Sequence, residues 1–288
     1  MLTIHNITKK FLIRKGGFKR PAQYLTAVDH VSLGLKSGEN LSLVGESGCG
    51  KTTLARIIMR LMKEDRGEIV FQNQNITGLK SGDLKKIRKD MQMVFQDPYN
   101  SLDPRYTVRN IIREAFTLAP KAYPSEKLQE ERIAQVLKAV QLKPEIMCRY
   151  PHEFSGGERQ RIAIARALLL QPKLIILDEA VSSLDVLIQE DIIALLKDIQ
   201  ENYDVTYLFI SHNLNVVKKI SHQVAVMYKG RVVELGPIDK VMSDPQHPYT
   251  VVLLKAAIDY KVVEEDVSNL NFEAQSLQVV GPGHYVLK

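Results

Sequence analysis

Nine residues constrain this chain more than any others: Gly45-Glu46-Ser47-Gly48-Cys49-Gly50-Lys51-Thr52-Thr53. Their glycines let successive backbone N–H groups turn inward without Cβ clashes. The apolar run 40–44 leads into the loop, and Leu54, Ile57, Ile58, Leu61 and Met62 fall on one helical face after it. Strand, glycine loop and helix in that order form a cradle for a polyphosphate, because the helix N-terminus adds the positive end of its dipole. Lys51 then supplies a point charge to the β and γ phosphates. Thr52 offers a hydroxyl to Mg²⁺, and Thr53 reaches the α phosphate. Cys49 reads as a small filler of the loop.

A second apolar run, 174–177, ends in Asp178-Glu179. A strand that stops on two carboxylates projects them from the carboxyl edge of its sheet, where ligands bind in such sheets. A division of labour suits the pair: Asp178 holds Mg²⁺ through its water shell, and Glu179 polarises an attacking water as general base.

The 288 residues suffice for one large domain, or for a core with appendages. With 45% hydrophobic and 25% charged residues the chain reads as globular. No apolar run approaches the roughly 20 residues that cross a bilayer, and residues 1–5 lack the pattern of a secretory signal. Two cysteines, Cys49 and Cys148, give neither a disulfide framework nor metal-ligand spacing. The net charge of +6 is concentrated only in Lys9, Lys10, Arg14, Lys15, Lys19 and Arg20. Without interleaved aromatics, that cluster reads as a solvated loop and not as a nucleic-acid surface.

Strand patterns occur at 2–7, 27–35, 40–44, 67–71, 174–177, 206–210, 223–228 and 231–235. Helical patterns occur at 54–62, 108–116, 126–140, 155–170, 188–200 and 214–220. This alternation predicts an α/β fold with a mostly parallel sheet. The middle block is almost wholly helical. Gly236-Pro237 marks a boundary before a small terminal appendage.

Phe154-Ser155-Gly156-Gly157-Glu158-Arg159-Gln160-Arg161 lies between the glycine loop and the carboxylates. With 45–53, Gln96, 174–179, 182–185 and His212, it resembles the nucleotide-binding subunit of ABC transporters over nearly the whole chain. The resemblance implies a P-loop NTPase (RecA-like) core over 1–96 and 171–235 with an antiparallel β edge. It implies an inserted helical signature subdomain over 97–170 and a C-terminal extension over 236–288. It further implies that Ser155, Gly156, Gly157 and Glu158 address the γ phosphate of an ATP held by an opposing subunit. Gln96 would sense Mg²⁺ and the attacking water, Asp185 would sit at the dimer seam, and His212 would contact the γ phosphate. Phe11, or alternatively Tyr24, would stack on adenine. Glu158 stands where glutamine is usual, Ala180-Val181 where Pro-Thr is usual, and Ser183 for a common alanine. None of these removes a catalytic group.

Two segments, 93–108 and Asp244-Pro245-Gln246-His247-Pro248-Tyr249-Thr250, are similar to the oligopeptide/dipeptide/nickel importer branch. The variant at 180–182 resembles the second ATPase of such importers. The expected function is ATP hydrolysis, with ATP and Mg²⁺, powering import of a peptide, nickel or metal chelate. Expected partners are two membrane-spanning permease subunits, a second ATP-binding subunit (a paralogue or another copy) and, indirectly, an extracytoplasmic binding protein. The expected location is peripheral, on the cytoplasmic face of the membrane. No cysteine follows Cys148, so no iron–sulfur cluster is expected. The rival readings are a non-transport ABC ATPase, against which the short middle block argues, and an accessory module resembling this branch.

Overall fold

The computed structural model describes residues 1–15, 21–97, 101–258 and 276–287. Lys19 and Arg20 of the basic cluster, and the loop signals Pro98 and Asn100, lie outside the described residues. The chain forms two compact units, Met1–Gly78 with Ile210–Lys288, and Leu79–Phe209.

In the first unit, strands β1 (Leu2–Arg14) and β2 (Gln23–Leu35) form a long antiparallel pair. Strand β4 (Arg66–Phe71) and the short β5 (Gln74–Asn75) complete that sheet in the order β2-β1-β4-β5. The β1–β2 ribbon is longer than the patterns at 2–7 and 27–35 predict. Its far half stays paired, with register shifts between Lys9 and Lys10 and between Leu12 and Arg14, although Phe11, Leu12, Ile13, Tyr24 and Leu25 remain exposed, so no buried face marks it in the sequence.

Strand β3 (Asn40–Val44) is buried at every position and runs parallel to β9 (Gln223–Tyr228). Continuous burial of this kind needs cover on both faces. Strand β10 (Arg231–Pro237) follows antiparallel across the Lys229-Gly230 turn, and β12 (His284–Val286) and β11 (Gln278–Gly281) extend the sheet beyond it. Gly236 and Pro237 are paired strand residues, opposite Val224 and Gln223. Helix α1 (Lys51–Ile58) buries Leu54, Ala55, Ile57 and Ile58. It stops before Leu61, which is 52% exposed, because Arg60 turns left-handed at φ +53°.

The second unit holds strands β8 (Thr206–Ile210), β7 (Leu174–Asp178) and β6 (Met91–Val94), neighbours in that order, with β6 and β7 parallel. Its helices are α2 (Ser81–Arg88), α3 (Val108–Arg113), α4 (Glu126–Ala139), α5 (Gly156–Leu168) and α6 (Val186–Tyr203). A single turn of tighter helix, Glu114–Leu118, follows α3. Arg132 of α4 is buried and donates to the carbonyls of Leu168 (3.2 Å) and Leu169 (2.9 Å). It thereby satisfies acceptors that the end of α5 leaves open. The first unit is completed by α7 (Leu214–Ile220), α8 (Ile238–Ser243) and α9 (Pro248–Ile258).

Candidate nucleotide site

The glycine loop joins β3 to α1 in the first unit. Gly45, Gly48 and Gly50 have φ of +148°, +82° and +110°. A Cβ on Gly45 would stand 2.1 Å from the Met227 carbonyl oxygen, and one on Gly50 2.1 Å from that of Ala27. Both positions exclude any other residue. Lys51 is buried, and its ammonium donates to the carbonyls of Gly45 and Glu46, both at 2.8 Å, with the Cys49 sulfur at 3.8 Å. Burial pushes the Cys49 thiol up, against the pull of the Lys51 charge. Ser47 and Gly48 are exposed at the loop crest, and Thr52 and Thr53 are half-buried in the first turn of α1. The donors present are therefore a confined ammonium and the first N–H groups of a helix, a set that fits a polyphosphate.

The remaining candidates of this unit lie on its rim. Phe11 is 37% exposed and pairs with Leu25, two residues from the Ala27 that abuts the loop; Tyr24 is opposite Leu12. His212 is exposed at the start of α7, between Ser211, whose N–H donates to the Leu43 carbonyl, and Asn213, which caps the helix. One contact of this unit was not anticipated. The N–H of Glu46 donates to the Tyr249 hydroxyl at 3.1 Å. The 244–250 motif drew attention to that tyrosine but gave no reason to place it at the loop.

In the second unit, Asp178 is the buried last residue of β7, and Glu179 follows at φ +48°, a conformation rare outside glycine. Gln96, just past β6, donates its amide to the Glu179 carboxylate at 2.8 Å. The fold thus brings together two candidates that lie 83 residues apart. The oxygen donors Asp178 and Gln96, like the Thr52 hydroxyl, are of the hard kind that Mg²⁺ takes.

The signature forms the start of α5. Ser155 is its N-cap: the Glu158 N–H donates to the serine oxygen at 3.4 Å, and both the Ser155 N–H (2.9 Å) and its hydroxyl (2.8 Å) donate to the Glu158 carboxylate. This reciprocal capping box holds the Glu158 carboxyl below its usual range, through the backbone donor first and the hydroxyl second. Gly156 and Gly157 face the segment that begins α6. Their Cβ atoms would meet Leu184 at 3.3 Å and Ile188 at 2.7 Å. Asp185 is the exposed N-cap residue of α6. Phe154 is buried under the Arg149 guanidinium, 4.5 Å from its ring centre.

Residues 28–182 match the model of the ABC transporter family, and the chain belongs to that family. The glutathione import ATP-binding protein GsiA of Escherichia coli K12 is 48% identical over 301 residues, 99% of this chain and 48% of the relative. GsiA of Salmonella paratyphi A is 46% identical over 304 residues, 100% of this chain and 48% of the relative. The chain thus spans about half the length of these curated relatives. Among solved structures, the dimeric post-hydrolysis state of the ATP-binding cassette MJ0796 bound to ADP and Pi superposes with a TM-score of 0.73 at 30% identity, over 83% of this chain and 99% of that one. CbiO1 of Clostridium perfringens, part of the ABC transporter complex cbiONQ, superposes at 0.72 and 25% identity, over 87% and 92%. The fold is accordingly that of an ABC ATPase cassette.

Proposed function

We propose that this chain binds ATP with Mg²⁺ and hydrolyses it to ADP and phosphate, as the power subunit of an importer for short peptides. The observation that carries this reading is Glu179, a carboxylate at a strand end, in a strained backbone conformation and hydrogen-bonded to Gln96. Glu179 would draw the proton from the attacking water. Gln96 would hold that carboxylate until substrate arrives and so tie hydrolysis to the state of residues 93–108. Lys51 would exchange its carbonyl partners for phosphate oxygens. Thr52, Asp178 and Gln96 would hold Mg²⁺, whose charge offsets that of the phosphates. Phe11 or Tyr24 would face the adenine, and His212 the γ phosphate.

Ser155, Gly156, Gly157 and Asp185 would act on an ATP held by a second ATP-binding subunit. Closure of the two subunits is then driven by contacts that ATP makes only in the closed pair. The capping box sets a condition on this step, because the Ser155 hydroxyl must leave Glu158 before it can donate to a phosphate. The division into a core (1–96, 171–235), a signature subdomain (97–170) and an extension (236–288) belongs to the same reading. So do two permease subunits and an extracytoplasmic binding protein as partners. A seat on the cytoplasmic face follows from them; among the described residues no helix is long and apolar enough to cross a membrane. A peptide cargo is favoured by the names of the GsiA relatives.

The test is Glu179→Gln. Its affinity for ATP should equal that of the parent, while turnover falls at least about 100-fold, the usual loss for a general base. Light scattering should show a dimer that accumulates only with ATP. Lys51→Ala should lose affinity itself. Normal turnover by Glu179→Gln would remove Glu179 from the chemistry. Copurification of the chain with membrane-spanning subunits tests the importer half of the proposal.

A further inference from the structure

We propose that Tyr249 is a positioning residue for the phosphate loop, and that the 234–249 region with strand β12 forms the arm that holds it; this rests on the nucleotide reading above. The Gly45–Glu46 peptide is gripped at both ends. Its carbonyl accepts from the Lys51 ammonium at 2.8 Å, and its N–H donates to the Tyr249 hydroxyl at 3.1 Å. In a trans peptide these two groups point in opposite directions, so the plane is fixed from two sides. The grip has a purpose because Gly45 lacks the Cβ that would otherwise restrict rotation of that plane. A flipped plane would turn the Gly45 carbonyl away from Lys51 and change what the loop offers to a phosphate.

Tyr249 is itself held rigidly. It is fully buried, and its ring lies 4.2 Å from that of Tyr228 at the end of β9. Its own N–H donates to His247 Nδ1 at 3.1 Å. The imidazole must be neutral to accept there, and burial lowers its proton affinity, in keeping with that role. The turn before Tyr249 is fastened by Glu234, a carboxylate with no exposed surface. One of its oxygens accepts from the Gln246 N–H at 2.9 Å and sits 2.7 Å from His284 Nε2 of β12; the other accepts from the His247 N–H at 3.0 Å. The path from β12 to the loop therefore runs through His284, Glu234, His247 and Tyr249 to Glu46. A buried carboxylate placed only for packing would be costly. This one spends its acceptors on the turn that aims Tyr249.

The experiment measures ATP affinity by calorimetry, KM and kcat for ATP, and nucleotide-free melting temperature, for the 288-residue chain and its Tyr249→Phe, Glu234→Gln and double variants. Phenylalanine keeps the ring packing and removes only the hydroxyl. Its affinity should fall roughly 2- to 12-fold, the range set by one neutral hydrogen bond. KM should rise in step while kcat stays within about twofold, as for lost uniform binding. Glu234→Gln should move affinity in the same direction, and the double variant should lose no more than the larger single loss, because both act through one hydroxyl. Unchanged affinity in Tyr249→Phe, or additive losses in the double variant, would overturn the proposal. If the parent binds ATP no better than Lys51→Ala, the nucleotide reading itself fails, a result separable from either.

Discussion

Cys49 sits among the loop's most constrained atoms, and its chemistry follows from that place. The thiolate is the reactive species, and burial beside the loop backbone raises the pKa of this thiol. Less thiolate is therefore present at neutral pH than in a free cysteine, and the fraction grows only as pH climbs past the ordinary thiol range. Cys148 is exposed. Iodoacetamide at pH 7.5 should label Cys148 first, with Cys49 labelling slowly and accelerating only as pH climbs past the ordinary thiol range. Peptide mass spectrometry reads both sites, and equal labelling at pH 7.5 would contradict the buried placement. Lys51 illustrates how much of a residue's setting a sequence conveys. Its motif assigns it to phosphate, but nothing in the motif shows that its ammonium rests on the carbonyls of Gly45 and Glu46.

At the level of elements, the start of α5 is wedged against the start of α6. The Gly157 Cα has room for hydrogen alone, because a methyl there would stand 2.7 Å from Ile188 Cγ2, close to the α6 backbone. Gly157→Ala should cost about 1–3 kcal/mol by overpacking. Adding Ile188→Ala should recover part of that loss, and a urea-unfolding cycle measures the coupling. A Gly157→Ala protein as stable as the parent would mean that the two helices part without cost.

The same elements show which parts of the fold were readable in advance. Strands β3 and β8 and helix α7 have the bounds that their apolar runs predict, since each run is buried throughout or on one face and ends at a turn. Helix α2 went unread because only Leu84 of its eight residues is buried, which leaves no stripe to detect. Strand β6 has four residues, two of them methionine, and too little pattern to count. In the site, the loop and the strand-end carboxylates are local patterns and were legible. The Gln96–Glu179 hydrogen bond spans 83 residues and the Glu46–Tyr249 bond 203, and only tertiary structure makes such pairs.

Across the whole chain, the two units carry different shares of the chemistry. The first holds the loop, His212 and the aromatic rim; the second holds both carboxylates, Gln96 and the signature. Strand β3 of the first and strands β7 and β8 of the second are buried at every position, which is why continuous apolar runs announced them. Within the segment 236–288, expected to be a small appendage, residues 278–281 and 284–286 add two strands to a sheet of the first unit. Val286 and Tyr285 pair with Glu234 and Leu235, and the Leu287 N–H donates to the Val233 carbonyl.

That pairing has a consequence for how the protein behaves at high concentration. Strand β10 carries Val232, Val233 and Leu235, and its side toward β12 would otherwise present unpaired peptide groups to any passing strand. Residues 276–287 cover that side of β10 and leave β11 as the outermost strand. Deleting residues 276–288 should lower the soluble yield several-fold and give light-scattering profiles dominated by aggregate, even where the remaining chain still folds. A monodisperse truncated protein would show that β10 needs no such guard.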